Sequence, residues 1–128
     1  MGTPCLVILH DWRETEIAVV YRHYDGYPEA TGQELVDYLV TARYNDPNCL
    51  AANVVRFLKT HHSDGEERGY SHNIYLYPPG TRDMGEYYKY FIYVNKEGPL
   101  IKMVDKRGYI LFNGRPENFN FNAIKAGS

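Results

Sequence analysis

The sequence contains no uninterrupted apolar run that approaches the ~20 residues of a membrane-spanning helix, and its N-terminus has no basic segment followed by a long apolar stretch. It therefore predicts neither a membrane anchor nor a secretory signal. The formal net charge is −2 and the pI is about 6.2, so the basic excess that non-specific duplex binding requires is also missing. These absences favour a soluble, cytoplasmic protein with no membrane partner.

The common motifs of catalysis and cofactor binding are missing as well. The chain has no Gly-rich phosphate loop and no Gly-x-Ser-x-Gly elbow, and it predicts no cofactor. Its two cysteines, Cys5 and Cys49, do not have the Cys-x-x-Cys spacing of a redox or zinc site. In a cytoplasmic chain we expect both of them to be reduced thiols.

Apolar periodicity predicts an α+β fold with the element order β-β-α-α-β-β-β-β. Residues 5–10 and 16–24 have the apolar patterns of two strands, which are predicted to form a hairpin. Two helices follow, the first after Thr31 and the second over about 48–60, and four short strands fill 73–112. We expect an antiparallel sheet of five or six strands with the helix pair packed on one face.

The length of the chain predicts a single domain over residues 1–128. Residues 114–128 are rich in Asn, Gly and Pro, but they include Phe119 and Phe121. We therefore expect a C-terminal tail that docks in part on the sheet.

The joint between the second strand and the first helix concentrates titratable and turn-forming residues. Asp25 and Gly26 favour a turn and Pro28 stops the strand, while Thr31 and Glu34 have the spacing of a capping box. Polar side chains beside a helix N-terminus lie near amides that attract anions. We predict a binding surface here, formed by Tyr21, Arg22, His23, Tyr24, Asp25 and Tyr27. The alternative is a purely structural turn, in which Arg22 and His23 lie on a solvated face.

A polar segment after the second helix holds several imidazoles and carboxylates. Four of them are weak candidates for binding a divalent metal, namely His61, His62, Asp64 and His72. Together with His23 and Asp25 they would support metal-assisted hydrolysis of nucleotides or nucleic acid. Their spacing matches no established metal motif, so a solvated loop without metal is the favoured interpretation.

Tyrosine is abundant, with 13 residues in the chain. The predicted sheet leaves one face uncovered by helices, and a tyrosine-rich face favours a partner, most simply a second copy of the chain. The main hypothesis is thus a binding or protein-interaction module, not an enzyme, that forms a homo-oligomer through this face; a small metal-dependent hydrolase is the alternative. Single-stranded nucleic acid is a further candidate partner, although the acidic pI disfavours it. Its binding would be assisted by basic residues near the tyrosines, namely Lys89, Lys102, Lys106 and Arg107.

Two stretches of the chain resemble a known family. Met1-Gly2-Thr3 and the segment Tyr-Arg-His-Tyr-Asp-Gly-Tyr-Pro-Glu at 21–29, continuing to Gly32, Leu35 and Leu39, are similar to small uncharacterised proteins of bacteria, phages and archaea. The resemblance covers the first third of the chain. It implies a shared fold and a shared surface but transfers no activity. Relatives commonly have Arg after Met-Gly-Thr, where this chain has Pro4.

Overall fold

The computed structural model describes residues 2–42, 46–60 and 73–120. In these ranges the elements are β1 Cys5–His10, β2 Glu16–Arg22, α1 Gln33–Thr41, α2 Pro47–Thr60, β3 Ile74–Tyr77, β4 Tyr88–Asn95, β5 Gly98–Asp105 and β6 Ile110–Gly114. One turn of π-helix, Pro28–Gly32, leads into α1, and one turn of 3-10 helix, Pro116–Asn118, follows β6. The predicted α+β class and element order are confirmed.

The six strands form one mixed sheet in the order β3-β2-β1-β4-β5-β6. Four of the neighbouring pairs are antiparallel, but β1 and β4 run parallel, with Cys5 opposite Tyr88 and Leu9 opposite Ile92. The prediction of a purely antiparallel sheet is therefore wrong. The physical reason is the connection from β3 to β4, which is not a hairpin. It crosses from the sheet edge to the far side of β1, and only such a long crossover can join strands in a parallel arrangement.

Both helices pack on one face of this sheet, as predicted. On α2 the buried residues Leu50, Val54 and Leu58 recur every four positions and form the main core with the sheet. The rings of Tyr38 and Phe57 stack at 4.8 Å and join α1 to α2. None of the helices in the described ranges combines the length and the apolar character that crossing a membrane would need.

The opposite face of the sheet has its own small core, formed by Leu6, Ile8 and Val19, which are fully buried. Residues 78–87, here called the strap, connect β3 to β4 and cover the centre of this face, where Met84 packs on that core. The tyrosine-rich face is thus closed at its centre, contrary to expectation. Its margins remain accessible to partners.

The C-terminal segment continues the sheet and then turns back onto it. β6 pairs with β5, and beyond the 3-10 turn Phe119 contacts the main core and the edge of the Phe112 ring, at 5.3 Å between ring centroids. The part of the predicted tail from 121 to 128 lies outside the described residues.

Candidate functional site

The predicted binding residues divide between the two faces of β2, because successive side chains of a strand point to opposite sides. Arg22 lies on the helix face, only 2% exposed. Its Nη1 donates to Thr31 Oγ1 at 2.9 Å and to Glu34 Oε1 at 2.7 Å. Arg22 is therefore a buried link between β2 and α1. The alternative interpretation of Arg22 as a residue on a solvated face is wrong.

The same contacts replace the predicted capping box. Thr31 Oγ1 accepts from Arg22 and donates to the carbonyl of Asp25 at 2.6 Å. The N-cap of α1 is Gly32, which makes no side-chain cap, and Glu34 forms a salt bridge with Arg22. The prediction failed because a buried guanidinium needs acceptors, and these two side chains supply them.

The chain turns at Asp25 and Gly26, as predicted, and the positive φ angle, 60°, belongs to Asp25. Gly26 is instead required for close packing, because a Cβ atom there would lie 2.4 Å from the Thr3 carbonyl oxygen and 2.7 Å from the Cys5 Cβ. The Tyr90 hydroxyl donates to the Gly26 carbonyl at 2.6 Å. This turn therefore holds the N-terminal segment against the sheet.

Tyr21, His23 and Tyr24 form an aromatic group on the side away from the helices. The Tyr21 hydroxyl and His23 Nδ1 are 2.8 Å apart, and Tyr24 meets the His23 ring edge-on at 4.5 Å. Burial raises the pKa of Tyr21, so this phenol stays protonated at neutral pH and can donate to His23. The group borders β3, where Tyr21 contacts Tyr75.

Asp25 and Tyr27 are a separate pair. The Tyr27 hydroxyl donates to Asp25 Oδ1 at a long 3.4 Å, and the carboxylate raises the pKa of that phenol. The six predicted residues thus belong to three arrangements: the buried Arg22, the aromatic group and this pair. They do not converge on one concavity, and none of them lines either groove described below. Their role in binding stays a prediction.

The weak metal candidates His61, His62, Asp64 and His72 lie outside the described residues. Within ranges 2–42, 46–60 and 73–120, no group of three or more His, Cys, Asp or Glu side chains is arranged to hold a metal ion. His23 has Tyr21 as its hydrogen-bond partner and Asp25 has Tyr27. The hydrolase hypothesis therefore gains no supporting geometry from the part of the chain that can be described.

Among the described residues, β3 forms one edge of the sheet and exposes apolar side chains on both of its faces. Tyr75 is 48% exposed and Leu76 is 63% exposed. The strand contains no charged residue, proline or bulge among Ile74–Tyr77. Natural edge strands usually carry at least one such feature, because a plain edge pairs readily with another strand.

A row of side chains along β4 borders two grooves on the strap side of the sheet. This outer row consists of Lys89, Phe91 and Tyr93 of β4, preceded by Tyr87 at the end of the strap. The first groove, of about 510 Å³, lies between the strap and the ends of β4 and β5, and includes Tyr87, Lys89 and Lys106. The second, of about 350 Å³, lies at the turn between β1 and β2; it includes Tyr93, Trp12, Lys102 and Asn113.

Sequence reasoning missed Trp12. It is the only tryptophan in the chain and is 51% exposed. The turn that carries it is fixed by Asp11 Oδ1, which accepts from the amides of Arg13 at 2.8 Å and Thr15 at 3.0 Å. A single large ring within a polar turn is the signal that could have identified it, because such a ring has little core to enter.

Comparison with known proteins identifies no relative: no protein-family model, no curated protein and no solved structure matches this chain. The resemblance of the N-terminal third to a prokaryotic and viral family stays a prediction.

Proposed function

We propose that this protein is an interaction module that self-associates, and that the edge strand β3 is where two copies meet. The observation that carries the proposal is the exposure of Tyr75 and Leu76 on opposite faces of an uncharged edge strand. The centre of the tyrosine-rich face is a weaker candidate, since the strap and Met84 cover it. The contact surface that we propose is therefore the margin of the sheet.

Edge pairing would use both backbone and side chains. An edge strand presents amide and carbonyl groups on the side that has no neighbouring strand, and a second strand satisfies them while its side chains pack beside their neighbours. On β3 the Ile74 carbonyl already accepts from Lys59 Nζ at 3.4 Å, so the proposed pairing centres on Tyr75 and Leu76. A two-fold axis perpendicular to the sheet keeps equivalent faces together, so the two Leu76 side chains would share the helix side and the two Tyr75 rings the other. Two six-stranded sheets would then become one continuous sheet.

The opposite edge of the sheet is a poorer pairing surface. β6 pairs with β5 through an irregular register between Met103 and Val104. It also contains Asn113 and Gly114, which are residue types with low strand propensity. Pairing through β3 therefore predicts a closed dimer, because a two-fold contact uses that edge once in each copy.

The test is the oligomeric state of a charged variant. Leu76→Lys places an ammonium group in the proposed contact, and lysine on an edge strand prevents pairing. Sedimentation velocity across a dilution series should show a dimer for the wild type and a monomer for the variant. Val40→Lys is the matched control, because Val40 on α1 is also about half exposed, at 52%, and lies outside the edge. A wild type that stays monomeric at high micromolar concentration, or a Leu76→Lys variant that stays dimeric, would contradict the proposal.

A further inference from the structure

We infer that two copies pair at the β3 edge in a single register, with Leu76 opposite Leu76 of the second copy, and that Lys59 selects this register. The inference rests on the proposed self-association and deepens it, because it names the backbone groups and side chains that meet. Three observations carry it: which backbone groups of β3 point outward, which of these are already engaged, and which exposed side chains each register covers.

The first observation is the direction of the backbone groups of β3. The Asn73 carbonyl accepts from the His23 amide at 3.0 Å, so the polar backbone groups of Asn73 point toward β2. Along an antiparallel pair, positions that exchange hydrogen bonds alternate with positions that do not. Ile74 and Leu76 therefore direct their amide and carbonyl groups away from β2, toward the open edge.

The second observation is that the carbonyls on both sides of Leu76 already have donors. Lys59 Nζ, in the last turn of α2, donates to the Ile74 carbonyl at 3.4 Å. Pro78 has no amide hydrogen, and its carbonyl accepts from the Thr81 amide at 3.3 Å and from Thr81 Oγ1 at 2.8 Å. Among the described positions of this edge, Leu76 is thus the residue that offers both its amide and its carbonyl to a second strand.

Symmetry leaves two central registers for a strand of four residues. A two-fold axis perpendicular to the sheet keeps equivalent faces together, so one residue must lie opposite its own counterpart. With Leu76 at the axis, the two Leu76 residues exchange two backbone hydrogen bonds without displacing any of the contacts just described. With Tyr75 at the axis, four bonds would form between Ile74 and Leu76 of the two copies, but two of them would end at the carbonyls that Lys59 binds.

The charge of Lys59 favours the same register. With Tyr75 at the axis, the two Ile74 residues would be about 8 Å apart, and with Leu76 at the axis they would be about 14 Å apart. The longer separation exceeds the Debye length of about 8 Å at physiological salt, so the repulsion between the two ammonium groups is largely screened. Lys59 therefore opposes the Tyr75 register through both its hydrogen bond and its charge.

The third observation is the exposure of the side chains. On the helix side, Leu76 is 63% exposed but Ile74 only 7%, so a facing Leu76 covers more apolar area than a facing Ile74 does. On the strap side, the Leu76 register places Tyr75 of each copy opposite Tyr77 of the other. These are positions without backbone bonds, where facing side chains lie closest and aromatic pairs stabilise the sheet.

The test is disulfide cross-linking of the full chain in a Cys49→Ser background, which removes the exposed native thiol and keeps the buried Cys5. In the inferred register the two Cα atoms at position 76 are about 5.5 Å apart, within the span of a disulfide, and those at position 75 are about 8 Å apart, beyond it. Diamide oxidises two thiols to a disulfide and is itself reduced to the hydrazine. Leu76→Cys should therefore form the covalent dimer at least ~10-fold faster than the matched variant Tyr75→Cys. Cross-linking at position 75 that is as fast or faster overturns the register.

The role of Lys59 is tested in the same assay. Lys59→Met keeps an apolar stem but frees the Ile74 carbonyl, so Tyr75→Cys should cross-link at least ~5-fold faster in this background. Lys59→Arg is the matched control, because it keeps a cationic donor, and it should leave that rate within ~2-fold. An unchanged rate in Lys59→Met, or an equal increase in both variants, overturns the assignment of Lys59.

Failure of the register and failure of self-association give different results. A dimer in sedimentation velocity that cross-links through position 75 overturns the register and leaves the proposed function intact. A wild type that sediments as a monomer, with slow cross-linking at both positions, overturns the proposed function and this inference with it. A dimer that cross-links through position 76 supports both.

Discussion

At the scale of single residues, the buried guanidinium of Arg22 determines how β2 and α1 meet. Taking an ionised group out of water costs several kcal/mol, which only well-placed acceptors offset. Thr31 Oγ1 and Glu34 Oε1 supply them at 2.9 and 2.7 Å. The neighbouring thiol of Cys5 is fully buried, and burial raises its pKa to about 12. This thiol is therefore neutral and adds no charge to the pair.

Arg22→Ala should accordingly destabilise the fold strongly. It removes the cation that Glu34 binds within the protein, and breaking a buried ion pair costs about 3–5 kcal/mol. Urea denaturation gives the free energy of unfolding for each variant. Arg107→Ala is the control, because Arg107 is 75% exposed beside Asp105 and such surface pairs contribute about 0–1 kcal/mol. A loss at Arg22 no larger than the loss at Arg107 would be incompatible with a structural role for the buried pair.

The role of Arg22 could not be predicted from the sequence. In the alternating pattern of β2 its position is compatible with either face, and its partners lie nine and twelve residues further along the chain. Thr31 and Glu34 equally satisfy the spacing of a capping box. Local spacing cannot choose between these arrangements, since the choice depends on which face of β2 the helices cover.

At the scale of elements, the strap is what distinguishes this sheet from the predicted one. It begins at the sheet edge after β3, where the Gly80 amide and the Arg82 side chain both bind the Glu16 carboxylate. It ends beside the start of β1, where the Tyr87 amide donates to the Pro4 carbonyl at 2.8 Å. Its return beside β1 is what makes β1 and β4 parallel. All six residues of β1 are buried, so this strand is covered on both faces, which is the typical environment of a parallel strand.

The attachment of the strap should depend on pH through Glu16. Burial opposes ionisation of this carboxyl, but hydrogen bonds from Arg82 and from the Gly80 amide outweigh burial and lower its pKa. Because the folded pKa lies below the unfolded value of about 4.3, the stabilisation is present above that value and is lost as the pH falls through the folded pKa. Hydrogen exchange, corrected for intrinsic rates, should show strap protection decreasing between about pH 5 and pH 3.

Glu16→Gln is the control for this titration. The amide keeps the shape of the side chain but has no charge to lose, so strap protection should be lower than in the wild type and nearly independent of pH over the same range. The helices α1 and α2 provide an internal reference, because neither contacts Glu16 through a hydrogen bond in the described residues. Wild-type protection that stays constant in the strap while the helices lose theirs would contradict this assignment.

At the scale of the whole molecule, most of the architecture followed from periodicity, whereas the surfaces did not. Alternation along 88–95 places Tyr90 and Phe91 on opposite faces of one strand, and the structure has Tyr90 in the main core and Phe91 against the small core of the other face. Which face stayed accessible depended on the strap, a segment with hardly any periodic signal. The predicted surface at Tyr21–Tyr27 divides into three separate arrangements, and its role in binding stays a prediction.

Pairing at the β3 edge should make the stability of the whole molecule depend on its concentration. A contact that forms only between folded copies stabilises the folded state by mass action, because unfolded chains do not make it. The melting temperature of the wild type should therefore rise with protein concentration, whereas that of the Leu76→Lys monomer should stay constant. Val40→Lys should keep the wild-type dependence, because Val40 lies on α1 and outside the edge. A wild-type melting temperature that is constant over a ~100-fold range of concentration would contradict pairing. Equal concentration dependence in the two lysine variants would show that the copies meet elsewhere on the molecule.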